Sequence, residues 1–496
     1  MNYFNSITRS LLQIRFGCLD CWLLIVLISG CTLPKVAPSH VKALDSFLRA
    51  PHPGQISDLA KEQEEWPGKQ WWSQWHDNQL NQLIKQALDQ APALDEARAR
   101  IEAAAALTEQ QKTSLKPSTQ AQAKPSYDRF TADEFIPPPY GANTYWDNQV
   151  LVQSRLELDL WGKNHAALRA ALDQKQVSEA EAAQVQQSLI ADLVDVYLQF
   201  TLADVELEQT KAILNMRKHL LDLAKKRRQA GLGTDLEVSR AIADLAPTQQ
   251  TLAHQQTALH ILRNQLAMLC GQPPASSLHL TTPTLSLNHS LHPPYPIPLH
   301  WLGRRPDIIA DRWRIEADSE TIKVAKTRFY PDINLEAFAG YQALGFTQLF
   351  SSSAMMYGLS PALSLPLFKD KELQAALDVS AARRDADVAR YNRQLLQAIQ
   401  EVSDLLAMLH GLDEEQQTAR MTRNQACDDE ALNRKGYQAG LLNETEYDHM
   451  ILIRMQREQE LDRLEASQLR TEVHLIRALG GGWLGASTQL SAPHHE

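Results

Sequence analysis

The sequence predicts a mainly α fold with a small β part, built as two internal structural repeats. Three observations carry this reading. Glycine is scarce, at 20 of 496 residues, while Ala, Leu, Gln and acidic residues dominate, a composition that favours long helices. Residues 163–230 hold neither Gly nor Pro, enough for about 100 Å of continuous helix. The chain also repeats itself at a long, nearly fixed offset.

Shifted by 214 residues, Pro92, Arg98, Arg100, Ile101, Glu102 and Ala103 fall on Pro306, Arg312, Arg314, Ile315, Glu316 and Ala317. At the same offset Lys112-Thr113 falls on Lys326-Thr327, and Pro117 on Pro331. At an offset of 209, Gln229-Ala230-Gly231-Leu232 falls on Gln438-Ala439-Gly440-Leu441. The matches keep chain order, and the period is far too long for a solenoid. They define two large, similar halves.

The elements follow in order. Arg9 and Arg15 precede a short apolar run, Trp22 to Ile28, too brief to span a bilayer. It ends in Leu27-Ile28-Ser29-Gly30-Cys31, which resembles the lipobox of bacterial lipoproteins. That resemblance implies a signal peptide over 1–30, cleavage before Cys31, lipidation of Cys31, and a lipidated extension over 31–75. Thr32, in place of an Asp, implies sorting to the outer membrane.

The first repeat spans 76–271. A helix runs to Pro117, which stops it. Strands follow over about 117–161. Val150, Val152, Leu156, Leu158 and Leu160 alternate with Gln149, Gln153, Arg155, Glu157 and Asp159, giving one apolar and one polar face. The strand from Pro117 towards Phe130 alternates poorly, and its loop carries Pro137-Pro138-Pro139. A long helix comes next, with Leu193, Phe200, Leu207, Leu214 and Leu221 every seven residues, the spacing of coiled-coil packing. Gly231 breaks it, and a second helix runs from about 236 to 270. A linker rich in Pro, Ser and Thr covers 272–303.

The second repeat, 304–483, has the same order. Its hairpin covers about 331–367, with Ile333, Leu335, Ala337, Ala339 and Tyr341 on one face. Met355, Tyr357, Leu359, Leu363, Leu365 and Leu367 line the return strand, which Pro361 and Pro366 weaken. Helices then run over about 369–439 and 443–479, turning near Gly440. Pro247 and Gly411 predict kinks. A polar tail occupies 484–496.

Composition excludes several classes. The net charge of −10 argues against a duplex nucleic-acid partner. A mean hydropathy of −0.35 excludes a polytopic helical membrane protein. Of five cysteines only Cys270 and Cys427 remain beyond residue 31, so there is no disulfide framework. The 16 histidines show no metal-ligand spacing, and His494 and His495 sit in the polar tail. No nucleophile with its base, no phosphate loop and no metal cluster appears. In Arg304-Arg305-Pro306-Asp307 the Pro starts a helix, the Asp sits near its positive end, and Arg pairs locally.

Four strands with an apolar face cannot close a barrel, and an open sheet edge is forbidden in lipid. Several chains must therefore pool their strands, and helices this long need neighbours too. The tube so formed would have its β end in a membrane and its helical end in the periplasm.

At this point the residues carry a family resemblance. The markers are Trp71-Trp72 with Asp77 and Leu80, Leu158-Asp159-Leu160-Trp161-Gly162, and Leu302-Gly303-Arg304-Arg305-Pro306-Asp307-Ile308. Others are Phe329-Tyr330-Pro331, Pro366-Leu367-Phe368 and Ala478-Leu479-Gly480-Gly481-Gly482-Trp483. In this order, from about Trp66 to Trp483, the chain resembles outer-membrane efflux channels of the TolC and OprM type, in the lipoprotein branch. It is most similar to those paired with fusaric-acid or aromatic-acid exporters. Lys369-Asp370-Lys371 departs from the Asp-Gly-Gly usual there.

The resemblance implies a homotrimer with a 12-stranded β-barrel and a 12-helix coiled-coil α-barrel. It implies a passive exit duct for small toxic compounds or drugs, with no catalysis and no cofactor. The implied partners are a periplasmic adaptor, an inner-membrane pump and outer-membrane lipid. A type I protein-secretion duct shares the architecture, and a periplasmic coiled-coil scaffold would explain the helices without the strands. The resemblance implies adaptor-docking tips at Arg227, Arg228, Gly231, Tyr437 and Gly440. Cations there also offset the helix dipole. It implies an aperture gate at Tyr437, Glu444, Glu446 and Asp448, with His449 where the TolC pattern has another acid. A solvated acidic helix face would look the same.

Overall fold

The computed structural model describes residues 67–131, 139–274, 280–291, 293–294, 297 and 299–483. The signal segment with Cys31, residues 31–66, Pro137-Pro138 and the tail with His494 and His495 lie outside the described residues. In chain order the elements are α1 (Asn78–Gln90), α2 (Pro92–Thr113), β1 (Ser118–Arg129), β2 (Thr144–Glu157), α3 (Lys163–Gln229) and α4 (Asp235–Leu269). Then come α5 (Pro306–Thr327), β3 (Asp332–Leu344), β4 (Met355–Ser364), α6 (Asp370–Gln438) and α7 (Glu444–Ala478). No described helix is long and apolar enough to cross a membrane. The chain divides into two compact units.

The first unit contains Leu107–Leu172 and Ile315–Ala386, and so holds all four strands. They form one antiparallel sheet in the order β1-β2-β3-β4, each strand beside its sequence neighbour. The register aligns the apolar positions across the sheet. Ala123 faces Val150, Val150 faces Tyr341, and Ala339 faces Tyr357. Leu335, Ala337 and their partners Pro361 and Leu359 continue the same face, because side chains alternate with period two. Tyr357, Leu359 and Leu363 on it are 77%, 67% and 69% exposed. An apolar face left so open marks an interaction with lipid or another chain. The opposite face carries Gln120, Gln122, Lys124, Gln149, Gln153, Arg155 and Glu336, with Arg155 and Glu336 3.7 Å apart.

The two internal prolines, Pro125 and Pro361, lie in β1 and β4, the edge strands, where a missing N–H is tolerated. β1 is a full 12-residue strand despite its weak pattern. Gly340 is required by packing: a Cβ there would sit 2.0 Å from the Val150 carbonyl oxygen.

The strands stop earlier than the alternation predicts. β2 ends at Glu157, with the Leu158 N–H still reaching the Ile333 carbonyl (2.9 Å), and β4 ends at Ser364, so Leu160, Leu365 and Leu367 lie beyond the ladder. Asp159 turns back to cap α3, accepting from the backbone N–H groups of Asn164 (3.1 Å) and His165 (2.9 Å). In the second half Pro366 has no N–H to offer. Aromatic pairs mark both ends of the strands. Trp146 lies 5.2 Å from Tyr127 and 5.5 Å from Phe346. At the helical end Trp161 stacks on Tyr330 at 4.8 Å and donates to the Pro331 carbonyl.

The described residues of the second unit lie within 67–106, 173–314 and 387–483. Its core packs Trp71, Trp72, Trp75, Leu80 and Ile84 against Leu193, Tyr197, Phe200, Leu266, Leu469 and Val473. The heptad positions Leu193, Phe200, Leu207 and Leu214 are all buried. α4 and α6 continue as helix through Pro247 and Gly411.

The stretch read as a linker is tied into this core. Leu285, Leu287 and Leu291 are buried in it. Asp77 caps α1 through the Leu80 N–H and also accepts from the Tyr197 hydroxyl (2.9 Å) and from Thr284 and Leu285. Glu472 likewise accepts from Ser290 and the Leu291 N–H. Two buried carboxylates thus clasp one segment, each satisfied by several donors.

Arg305 bonds Asp307, Glu401 and the Ala478 carbonyl at the end of α7. Burial opposes the charge on Asp307, but the Arg305 guanidinium outweighs it and holds the carboxyl below the usual range. This is a structural clamp, as local pairing of the motif predicts. Cys270 and Cys427 are free thiols.

Candidate functional site: two helical turns

The two helical hairpins turn at Gly231 and Gly440, and the backbone of both turns is the same. Each helix ends in a glycine with left-handed φ, 74° at Gly231 and 71° at Gly440. The following N–H reaches back over the glycine: Leu232 to the Arg227 carbonyl (2.8 Å), Leu441 to the Gly436 carbonyl (2.9 Å). The next helix then opens with a capping box, Thr234 with Glu237 and Asn443 with Glu446. Leu232 and Leu441 stand 73% and 81% exposed at the tips.

The side chains differ. In the first turn Arg228 pairs with Asp235 at 2.6 Å on an exposed surface, and Arg227 reaches the Leu232 carbonyl at 3.4 Å. Such an exposed pair contributes little to stability. In the second turn Tyr437 stacks on Tyr447, with ring centroids 5.6 Å apart and planes 5° from parallel. Arg434 donates to the Tyr447 hydroxyl and to Glu430, and Arg454 meets the other Glu430 oxygen.

The residues the sequence grouped as a gate therefore separate into three settings. Tyr437 belongs to the ring stack. Glu446 folds back on the Asn443 N–H at 3.3 Å and lines a cavity of about 370 Å³ with Arg217, Arg227, Arg240, Asp244 and His449. Glu444 and Asp448 meet His219, which arrives from α3. The His219 Nε2 lies 3.1 Å from Glu444 Oε1 and 3.5 Å from Asp448 Oδ2. Burial pushes the Asp448 carboxyl above the usual carboxylate range, with the His219 charge opposing and the Glu444 charge adding to the shift. Sequence reasoning missed His219. It lies 225 residues from Glu444, so no local spacing marks it.

A channel subunit needs a membrane face, long helices and shaped helical ends, and all three are present in this chain. A sequence profile of the outer membrane efflux protein family matches residues 83–272 and 299–481. The chain belongs to that family. It is 32% identical over 367 residues to the fusaric acid resistance protein FusA of Burkholderia cepacia, covering 72% of this chain and 68% of that one. It is 28% identical to the multidrug resistance outer membrane protein MdtQ of Escherichia coli, covering 94% and 98% of the two chains. Among solved structures, it matches the outer membrane protein VceC of Vibrio cholerae with a TM-score of 0.76 at 29% identity, over 84% of this chain and 99% of that one. The outer-membrane channel OprN matches with a TM-score of 0.74 at 27% identity, over 83% and 92%.

Proposed function

We propose that this chain is the outer-membrane exit duct of a tripartite efflux system and conducts small toxic compounds or drugs passively. The observation that carries the reading is the open four-stranded sheet with one exposed apolar face. β2 has 14 residues, about 45 Å of strand, which at a tilt near 45° spans about 30 Å, the thickness of a bilayer core. The aromatic groups at its two ends fit the girdles of a membrane barrel. β1 and β4 leave free edges, so barrel closure requires further copies, three chains in all by family likeness. Cys31 would carry lipid and hold the amino terminus at the same membrane.

The role is conduction rather than catalysis, with energy supplied by an inner-membrane pump through a periplasmic adaptor. The exposed tips at Leu232 and Leu441, with Arg227, Arg228, Gly231, Tyr437 and Gly440, are the docking surface for that adaptor. Tyr437, Glu444, Glu446 and Asp448 form the gate region. The names of the relatives, fusaric acid resistance and multidrug resistance, favour small molecules over a secreted protein. Planar-bilayer recording tests the reading. Purified protein should form water-filled channels, whereas insertion without conductance would overturn it. Cys31→Ser should abolish palmitate labelling and leave part of the function, because the barrel itself holds the membrane.

A further inference from the structure

We propose that His219, Glu444 and Asp448 form a binding site for a divalent transition-metal cation, with zinc the best chemical fit, that ties α3 to the first turns of α7. One ligand atom from each residue lies within 4.8 Å of the others. Tetrahedral zinc with nitrogen and oxygen ligands at about 2.0–2.2 Å holds those ligands roughly 3.4 Å apart. The spacings from His219 Nε2, 3.1 Å and 3.5 Å, are already of that size.

A second observation points to a cation ligand. Asp448 is 5% exposed, and its Oδ2 accepts no hydrogen bond although it faces the imidazole. A single N–H on Nε2 can serve Glu444 or Asp448, but not both well. A buried carboxylate oxygen left without a donor is costly. A divalent cation among the three groups satisfies them together and balances the two carboxylate charges. The imidazole selects against calcium and magnesium, which take oxygen ligands. Three protein ligands leave a fourth position for water, and the half-exposed His219 and Glu444 provide an entry path. The site goes beyond the duct reading and does not depend on it, because it concerns binding alone.

The test is zinc titration of chelator-stripped full-length protein in detergent by calorimetry. The expected result is one zinc per chain in the micromolar range. His219→Gln and Asp448→Asn should each weaken binding at least about 10-fold, by loss of a ligand. His410→Gln, on the exposed face of α6, should bind as wild type does. Equimolar calcium should not displace zinc. If Asp448→Asn fails to fold, Glu444→Gln, at a half-exposed helix start, replaces it. X-ray absorption of the zinc-loaded protein should show nitrogen and oxygen ligands including one imidazole. Wild-type binding in the His219 and carboxylate variants, or no zinc uptake by the wild type, would overturn the proposal.

Discussion

The two helical turns share a backbone and differ in the side chains that flank it. Both use a left-handed glycine, an exposed leucine and a capping box closed by a glutamate. The difference begins where the helices flank the turn. In the first turn, Arg227 packs beside Gly233, whose added Cβ would lie 3.2 Å from the Arg227 Cβ. In the second, the positions are exchanged. Gly436 stands where Arg227 does, and its added Cβ would lie 2.8 Å from Leu442, which stands where Gly233 does. One space is filled from opposite sides in the two halves. The duplication preserved the hydrogen bonds that set the turn and an acidic pair after it, Asp235 with Glu237 and Glu444 with Glu446, and left other flanking side chains free to diverge, with Arg228 in one turn where Tyr437 stands in the other.

That comparison can be broken at several points. The largest effect is expected on conduction. Glu444→Gln with Glu446→Gln, recorded in chelated buffer, should change single-channel conductance several-fold and weaken cation preference, through removal of like charges repeated around an axis. Glutamine keeps the capping contact that Glu446 makes, so the change would reflect charge. Asp235→Asn with Glu237→Gln, the matching pair in the first turn, should leave conductance unchanged. Equal effects from both pairs would erase the functional difference. Tyr437→Phe sharpens the point, since a leakier channel would assign the hydroxyl a closing bond.

Packing comes next. Gly436→Arg should cost about 2 kcal/mol by overfilling the space that Leu442 occupies. Adding Leu442→Gly should restore most of it, and additive losses in the double-mutant cycle would refute the exchange. Gly231→Ala and Gly440→Ala should each cost about 1–2 kcal/mol, because both glycines have positive φ. The smallest effects belong to the caps. Thr234→Ala and Asn443→Ala should each lower stability by about 1 kcal/mol, read from chemical denaturation. A clear inequality between the halves would show that the two boxes are not equivalent.

Much of this architecture was legible in the chain. Helix ends were readable because Gly231 and Gly440 are strong local signals. The sheet's apolar face was readable wherever the alternating residues are large, as at Val150, Leu335 and Leu359. β1 was hard to read because its inward and outward positions alternate Ala with Gln, a small contrast in hydrophobicity. The strand ends were misjudged at Leu160 and Leu365, since period two continues past the last ladder bond and capping by Asp159 leaves no periodic trace. The packed strap around Leu285 and Leu287 was hidden by its loop-like composition; the anchors Asp77 and Glu472 lie far away in sequence. Of the acidic residues after Gly440, Glu446 has a local partner in Asn443. The setting of Glu444 and Asp448 was illegible because it depends on His219, which lies 225 residues from Glu444.

The duct reading rests on a four-stranded sheet whose outer strands, β1 and β4, are unpaired at their edges. Native mass spectrometry of the detergent-extracted protein tests this most directly. The account predicts a single assembly of about three times the 55.8 kDa chain mass, less any cleaved segment. A folded, stable monomer, with the edges of β1 and β4 unpaired, would contradict it.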